Sequence, residues 1–263
     1  MRAPIAAALL AAALICGAEL DGSGTLGGQA ERTESVTIRG KQQSLHTFGT
    51  RGKQAIVLSS SDGGWVRVAP LVAGILAKRG FFVVGLDSKA YLESFTGTNS
   101  TLKEADIPGD FLSLADFAST GTQPAPILIG VSEGAGLSVL AATRDDVKKK
   151  VQGVIVIGLP DLTELAWRWR DAIIYVTHGV PNEPTFSTAA VIDRVSPVPL
   201  AVLHSSSDPY VPVDTIKGIL ARAKEPKQLW IINSTEHGFG DNEAEFQAKL
   251  LEAIAWVNSK KGS

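Results

Sequence analysis

The stretch that most constrains the fold of this chain is a serine flanked by two glycines. Residues 127–137 read Ile-Leu-Ile-Gly-Val-Ser-Glu-Gly-Ala-Gly-Leu, an apolar run followed by G-x-S-x-G. This layout is typical of a strand-to-helix turn that lifts a serine hydroxyl above a sheet edge. Side chains at positions 130 and 134 would collide with neighbouring backbone, and strain is expected at Ser132. Ser132 is therefore a candidate nucleophile, although an ordinary turn with Ser132 as helix N-cap has the same pattern.

Short apolar runs alternate with helical segments and predict an α/β fold with a mostly parallel sheet, covered by helices on both faces. Predicted strands are residues 36–38, 45–48, 55–58, 81–86, 127–129, 151–157, 199–204 and 228–232; predicted helices are 66–79, 102–119, 132–143, 185–195, 213–223 and 242–258. The first two strands are expected to form an antiparallel hairpin. Residues 161–176 fit an edge strand or an excursion better than a helix, because Leu165, Trp167 and Trp169 alternate with Ala166, Arg168 and Arg170.

Length and composition predict one domain. The chain has 263 residues, 44% of them hydrophobic and 20% charged, enough for one large core. We expect residues 19–33, rich in Gly, Ser and Thr, to be a flexible leader, and residues 34–259 to be the single domain. The formal net charge of −2 gives no reason to expect a nucleic-acid partner. The histidines lack ligand spacing, so no metal or cofactor is predicted, and the oligomeric state is left open.

The N-terminus has the pattern of a secretory signal peptide. Arg2 precedes an apolar run over residues 3–15, and cleavage is expected after Ala18. Cleavage of residues 1–18 would remove Cys16, the one cysteine. The alternative is a lipoprotein anchored through Cys16, but the bulky residue before this cysteine does not suit such processing. The protein is therefore expected to be periplasmic or secreted.

A serine becomes a strong nucleophile when a histidine takes its proton and a carboxylate orients that histidine. His178, His204 and His237 follow Ser132 in the chain, and only His237 lies after the last predicted strand. Asp208 heads a proline-stiffened turn after the preceding strand and is the candidate acid. The order serine, aspartate, histidine is that of the α/β-hydrolases, with little or no cap domain expected here. Alone, Asp208 would be a plain turn residue and His237 a surface histidine.

The oxyanion that forms during acyl transfer needs backbone donors fixed in advance. One should be the amide of Glu133, directly after the nucleophile. The other should be the amide of Ser61 or Asp62, in the polar loop after the strand at residues 55–58. The Asp62 carboxylate could bind a cationic substrate group or could cap the following helix.

Four motifs together resemble the VirJ/AcvB bacterial virulence-protein family of α/β-hydrolases over about residues 50–257. They are the loop Ser-Ser-Asp-Gly-Gly-Trp at 60–65, the strand end Val-Gly-Leu-Asp-Ser at 84–88 with Tyr91, the elbow at 130–134, and His-Gly-Phe-Gly at 237–240. Two positions depart from the family pattern: Ser61 replaces a glycine, and Glu133 replaces an apolar residue. Both departures bear on the substrate more than on the triad.

The resemblance implies a periplasmic serine hydrolase. AcvB-type members cleave the lysyl ester of lysyl-phosphatidylglycerol, and VirJ-type members are associated with virulence-factor secretion. Carried over, Ser132 attacks the ester, His237 moves the proton and Asp208 orients His237, while Asp62 meets a substrate ammonium. Trp65 and Tyr91, from the matching motifs, are further substrate-binding candidates.

The leading hypothesis is therefore an exported esterase that forms an acyl-enzyme on a small-molecule or lipid ester, with peripheral contact to membrane lipid. The alternative is a hydrolase-fold binding or secretion-accessory protein with weak or no catalysis. Trp167 and Trp169 would face lipid in the first case, although buried core positions suit them better.

Overall fold

The computed structural model describes residues 30–119, 124–169 and 183–260, so the predicted signal peptide lies outside the described residues. A central sheet of eight strands has the order β1-β2-β4-β3-β5-β6-β9-β10. These strands are β1 (Arg32–Ile38), β2 (Lys41–Phe48), β3 (Ala55–Ser59), β4 (Phe82–Leu86), β5 (Ile127–Val131), β6 (Gly153–Ile157), β9 (Leu200–Ser205) and β10 (Lys227–Ile232). β1, β2 and β4 pair antiparallel, whereas the pairs from β4 to β10 are parallel. The mostly parallel sheet predicted from the sequence is confirmed.

Helices cover both faces of this sheet. They are α1 (Val68–Lys78), α2 (Ser88–Phe95), α3 (Ile107–Ala118), α4 (Glu133–Ala141), α5 (Asp145–Lys150), α6 (Thr188–Val191), α7 (Val213–Arg222) and α8 (Glu243–Lys260). α1 and α8 pack on one face, and α3, α4 and α7 pack on the other. Along β3, Ile56 and Leu58 pack in the core on the side of α1 and α8, whereas Ala55 and Val57 pack in the core on the side of α3, α4 and α7. This alternation is expected of a strand that is buried on both sides.

Between β6 and β9 the chain forms a separate antiparallel ribbon of β7 (Leu162–Glu164) and β8 (Thr185–Ser187). This agrees with the excursion predicted after residue 160, although residues 170–182 lie outside the described part. The helix predicted over 185–195 is wrong in its first turn. Residues 185–187 pair with β7 instead, and the Ser187 hydroxyl then accepts a hydrogen bond from Ala190 N and caps α6.

Two further boundaries differ from the sequence prediction. α3 begins at Ile107 rather than at residue 102, because the Asp106 carboxylate accepts a hydrogen bond from Lys103 N and holds the preceding residues in a turn. β1 begins at Arg32, inside the predicted leader of residues 19–33, and the Arg32 guanidinium donates to Gly49 O. Within the described residues, we find no helix that is both long and apolar enough to cross a membrane.

Candidate active site

The G-x-S-x-G motif forms a tight turn between β5 and α4. Ser132 has a φ of 50° and a ψ of −112°, and its N–H donates to Ile157 O at 2.8 Å. A Cβ at Gly130 would lie 2.2 Å from Gly134 O, and a Cβ at Gly134 would lie 2.4 Å from Ser60 O. The expected strain at the serine and the steric need for both glycines are confirmed. The turn holds Ser132 at the carboxyl ends of β5 and β6.

Asp208 and His237 meet at the same edge of the sheet. Asp208 follows β9 and His237 follows β10, and His237 Nδ1 lies 2.6 Å from Asp208 Oδ2. The second carboxylate oxygen accepts hydrogen bonds from Tyr210 N at 2.8 Å and Val211 N at 2.9 Å. Because Nδ1–H donates to the carboxylate, His237 Nε2 is left to accept a proton.

The charge state of Asp208 fits this arrangement. Burial acts to raise the pKa of Asp208, but the hydrogen bond and charge of His237, helped by the amides of Val211 and Tyr210, outweigh burial and lower the pKa. The Asp208 side chain is fully buried, whereas the His237 side chain is 19% exposed. The anion is thus enclosed behind the imidazole, and the imidazole faces the surface.

Hydrogen bonds from three successive serines connect the loop after β9 to the loop after β10. Ser205 Oγ donates to Ser234 O at 2.6 Å, and Ser207 N donates to the same carbonyl at 3.0 Å. Ser206 N donates to Ile232 O at 2.8 Å. These bonds join the loop carrying the acid to the loop carrying the base, so the contact between Asp208 and His237 is held by backbone on both sides.

The His237 ring lies against the end of β6. Gly158 has a φ of +61°, and a Cβ there would lie 2.4 Å from His237 Cε1 and 3.0 Å from His237 Nε2. Ile157, one residue earlier, accepts the hydrogen bond from Ser132 N. The end of β6 therefore contacts both the turn of the nucleophile and the imidazole of His237. The hydrogen bonds among the described residues include none between Ser132 Oγ and His237, a contact that often shortens only when substrate binds.

The predicted oxyanion loop packs on the elbow. Ser60 O accepts a hydrogen bond from Gly134 N at 3.1 Å, and Ser61 O accepts one from Gly64 N at 3.0 Å in a tight turn. Glu133 is the first residue of α4, so its N–H has no carbonyl partner one turn earlier in the helix. The structure thus brings the amide of Glu133 and the loop of Ser61 and Asp62 to the same side of the elbow.

Asp62 and Glu133 are both acids with perturbed titration. The pKa of Asp62 is raised, because burial outweighs three contributions that lower it. These are the hydrogen bonds from its own amide and from the amide of Gly63, and the charge of His237. The charge of His237 thus acts on the carboxyl of Asp62. Burial, followed by the charges of Glu164 and Asp62, raises the pKa of Glu133 well above its ordinary value. Both shifts are towards the uncharged form of the carboxyl.

Trp65 packs beneath the oxyanion loop. Its indole stacks on His46 with ring centroids 4.4 Å apart, and a Cβ at Gly85 of β4 would lie 2.1 Å from Trp65 Cη2. Tyr91 is fully buried, and its hydroxyl donates to Asp110 Oδ2 at 2.5 Å. These contacts give both side chains a structural role, and their role in substrate binding stays a prediction.

Three residues around the site escaped the sequence reasoning. Gly158 seats the histidine, and a glycine just after a buried apolar run was its one signal. Glu164 N–H donates to a carboxylate oxygen of Glu133, a contact that no spacing predicts. His204 is fully buried and donates from Nε2 to Val211 O at 2.8 Å, so it supports the Asp208 loop. His178 lies outside the described residues. Across residues 30–119, 124–169 and 183–260, no three His, Cys, Asp or Glu side chains cluster as metal ligands would.

The strand order, the elbow and the loops at the strand ends define an α/β-hydrolase fold. The backbone of this protein is similar to the naproxen esterase (carboxylesterase NP) of Bacillus subtilis, with a TM-score of 0.66 and 12% identity over 86% of this chain and 92% of the other. It is also similar to the α/β hydrolase GrgF of Penicillium sp. sh18, with a TM-score of 0.65 and 12% identity over 89% and 99% of the two chains.

Residues 53–172 match the model of the bacterial virulence protein (VirJ) family. The match confirms the resemblance predicted from the motifs. A curated relative, the uncharacterized protein YfhR of Escherichia coli O157:H7, is 26% identical over 178 residues, which is 67% of this chain. The alignment spans 60% of that relative's length.

Proposed function

We propose that this protein is a serine hydrolase that cleaves ester bonds through Ser132, His237 and Asp208. The observation that carries the proposal is the 2.6 Å contact between His237 Nδ1 and Asp208 Oδ2 at the strand edge that holds Ser132. Two side chains from separate loops are placed as the base and its orienting acid require. The α/β-hydrolase fold agrees with this chemistry but does not by itself specify it.

In this reaction Ser132 Oγ attacks the ester carbonyl while His237 Nε2 takes the serine proton. The carbonyl oxygen becomes negative, and the amides of Glu133 and of the loop at Ser61 and Asp62 stabilise it. His237 then gives the proton to the departing alcohol, leaving an acyl group on Ser132. Water, activated by the same histidine, attacks this acyl-enzyme and frees the acid and the serine. Asp208 keeps the imidazole in one tautomer throughout.

For the substrate we propose the aminoacyl ester of an aminoacylated phosphatidylglycerol. An aminoacyl group carries an ammonium, and the partner that we propose for this charge is the carboxyl of Asp62, on which the charge of His237 acts. Trp169 is 78% exposed and offers an apolar surface for peripheral contact with lipid, whereas Trp167 is buried. The signal-peptide pattern at residues 1–18 supports export to the periplasm, where such a lipid would be met.

The experiment is a substrate panel for the wild-type protein and Ser132→Ala. Lysyl- and alanyl-phosphatidylglycerol are compared with p-nitrophenyl esters of several chain lengths, with release of amino acid or nitrophenol as the measurement. We expect the wild type to hydrolyse the aminoacyl lipids and Ser132→Ala to lose about 10³-fold or more in kcat. Hydrolysis of short esters alone would contradict the lipid assignment and leave the esterase assignment intact.

The second candidate is a hydrolase-fold binding or secretion-accessory protein. Among the described residues Ser132 Oγ makes no hydrogen bond to His237, and this observation favours the second candidate. A wild type that turns over no ester in the panel, yet binds aminoacylated lipid vesicles as well as Ser132→Ala does, would support this candidate over the esterase.

A further inference from the structure

Glu133 has a second contact besides its place after the nucleophile. Its side chain is buried, with 7% of the residue exposed, and a carboxyl oxygen accepts a hydrogen bond from Glu164 N. Glu164 ends β7, the first strand of the ribbon. The charges of Glu164 in the ribbon and of Asp62 in the oxyanion loop both act on the Glu133 carboxyl.

The hydrogen bond from Glu164 N to Glu133 is made on the edge of β7 that faces away from β8. Leu165 N donates to Pro184 O at 2.7 Å across the ribbon. Since the inward and outward amides of an antiparallel strand alternate, Glu164 N points away from β8. Within the described residues the sheet of β7 and β8 has two strands, and the Glu133 carboxyl is the acceptor that the structure gives this N–H.

The ribbon also packs closely on α4. A Cβ at Gly136 would lie 1.8 Å from Thr163 Oγ1 and 2.7 Å from Thr163 Cβ. α4 therefore contacts β7 at two successive points, Glu133 with Glu164 and Gly136 with Thr163. The ribbon begins at Leu162, shortly after the Gly158 that seats the His237 ring, and Leu162 is 49% exposed. The ribbon thus borders the site.

We infer that Glu133 is a positioning residue, whose carboxyl fixes the β7–β8 ribbon against the first turn of α4 and so shapes the substrate side of the elbow. The inference rests on the proposed esterase function for its effect on substrate, but not for its effect on the ribbon. Only an acceptor oxygen is needed for the contact. Burial and the neighbouring acids favour the protonated, uncharged carboxyl, which a glutamine reproduces in shape and in hydrogen bonding.

The test compares Glu133→Gln, which keeps the acceptor, with Glu133→Met, which keeps the length but has no oxygen. Glu243 begins α8 as Glu133 begins α4 but is exposed, so Glu243→Met is the matched control. Two readouts are taken on the full chain: amide hydrogen exchange at Glu164, and kcat and KM for the best ester of the panel.

For Glu133→Met we expect exchange at Glu164 to quicken about tenfold, because the amide loses its acceptor. KM should rise about three- to tenfold while kcat changes less than about threefold. Glu133→Gln should keep the exchange at Glu164 within about twofold of the wild type, because it keeps the acceptor oxygen. The control Glu243→Met should stay within about twofold of the wild type in both readouts.

Two exchange results would overturn the inference. One is unchanged exchange at Glu164 in Glu133→Met, and the other is exchange in Glu133→Gln that quickens as much as it does in Glu133→Met. A fall in kcat with KM and exchange unchanged would also overturn it, because it would mean that Glu133 acts on the oxyanion alone. A wild type inactive on every ester would contradict the esterase proposal only, because the exchange comparison decides the role of Glu133 without turnover.

Discussion

At the level of single residues, Ser132 and Glu133 are neighbours with opposed electrostatic needs. Attack by Ser132 creates a negative oxygen that the Glu133 amide should stabilise, whereas an ionised Glu133 carboxylate nearby would oppose it. Burial and the charge of Glu164 raise the pKa of Glu133 and so favour the neutral carboxyl. An acid can therefore follow the nucleophile without placing a full charge beside the developing oxyanion.

This raised pKa predicts a pH-dependent stability difference between the wild type and Glu133→Gln. A carboxyl whose pKa is higher in the folded chain contributes its stability fully below the unfolded pKa of ~4.3 and loses it as the pH rises through the folded pKa. Glutamine does not titrate. The melting temperature of Glu133→Gln minus that of the wild type should therefore increase from about pH 5 to pH 8. The increase should be about 2–4 °C for each kcal/mol of unfolding free energy that the wild type loses.

The check is thermal unfolding of both proteins across that pH range, with Glu243→Gln as an exposed control. A difference that is constant with pH, or one that shrinks as the pH rises, would contradict a buried and neutral Glu133.

At the level of elements, the end of β6 is shared by two parts of the site. Ile157 O accepts from Ser132 N, and Gly158 lies under the His237 ring. Loops from β9 and β10 supply the acid and the base, but β6 fixes where the imidazole comes to rest. A side chain on this strand end would disturb the base without touching the nucleophile.

Gly158→Ala should therefore slow catalysis strongly in a protein that still folds. The new Cβ would lie 2.4 Å from His237 Cε1, and the φ of +61° adds strain of about 1–2 kcal/mol for a residue with a side chain. We expect a loss of about 10²-fold or more in kcat for ester hydrolysis, as for a displaced catalytic group, with an unchanged far-UV circular dichroism spectrum.

Gly74→Ala in α1 is the matched control, because a Cβ there meets no atom within 4 Å. Full activity in Gly158→Ala would show that the imidazole does not rest where the structure has it.

Elements governed by local chemistry could be predicted from the sequence. The glycines at 130 and 134 and the apolar run before them give the elbow, and doubly buried strands read as continuous apolar runs. The prediction failed where tertiary contacts decide. The helical pattern at 185–195 gives way to a strand at residues 185–187, because pairing with β7 wins over local propensity.

At the level of the whole molecule, the parallel sheet assembles the site from distant parts of the chain. Carboxyl ends of β5, β6, β9 and β10 lie side by side, so residues 132, 158, 208 and 237 meet at one edge. Sequence order predicts that Asp208 and His237 share this edge. Sequence cannot predict that Trp65 and Tyr91 turn inwards, because each depends on a partner, Gly85 or Asp110, from another element.

The central claim is that Ser132 is a nucleophile activated by His237 and Asp208, and covalent labelling tests it most directly. The full chain is treated with a fluorophosphonate probe, and the adduct is located by mass spectrometry in the wild type, Ser132→Ala and His237→Ala. We predict one adduct, on Ser132, that is absent from Ser132→Ala and slower to form by about 10²-fold or more in His237→Ala. Equal labelling of the wild type and Ser132→Ala, or an adduct on another residue, would contradict the account.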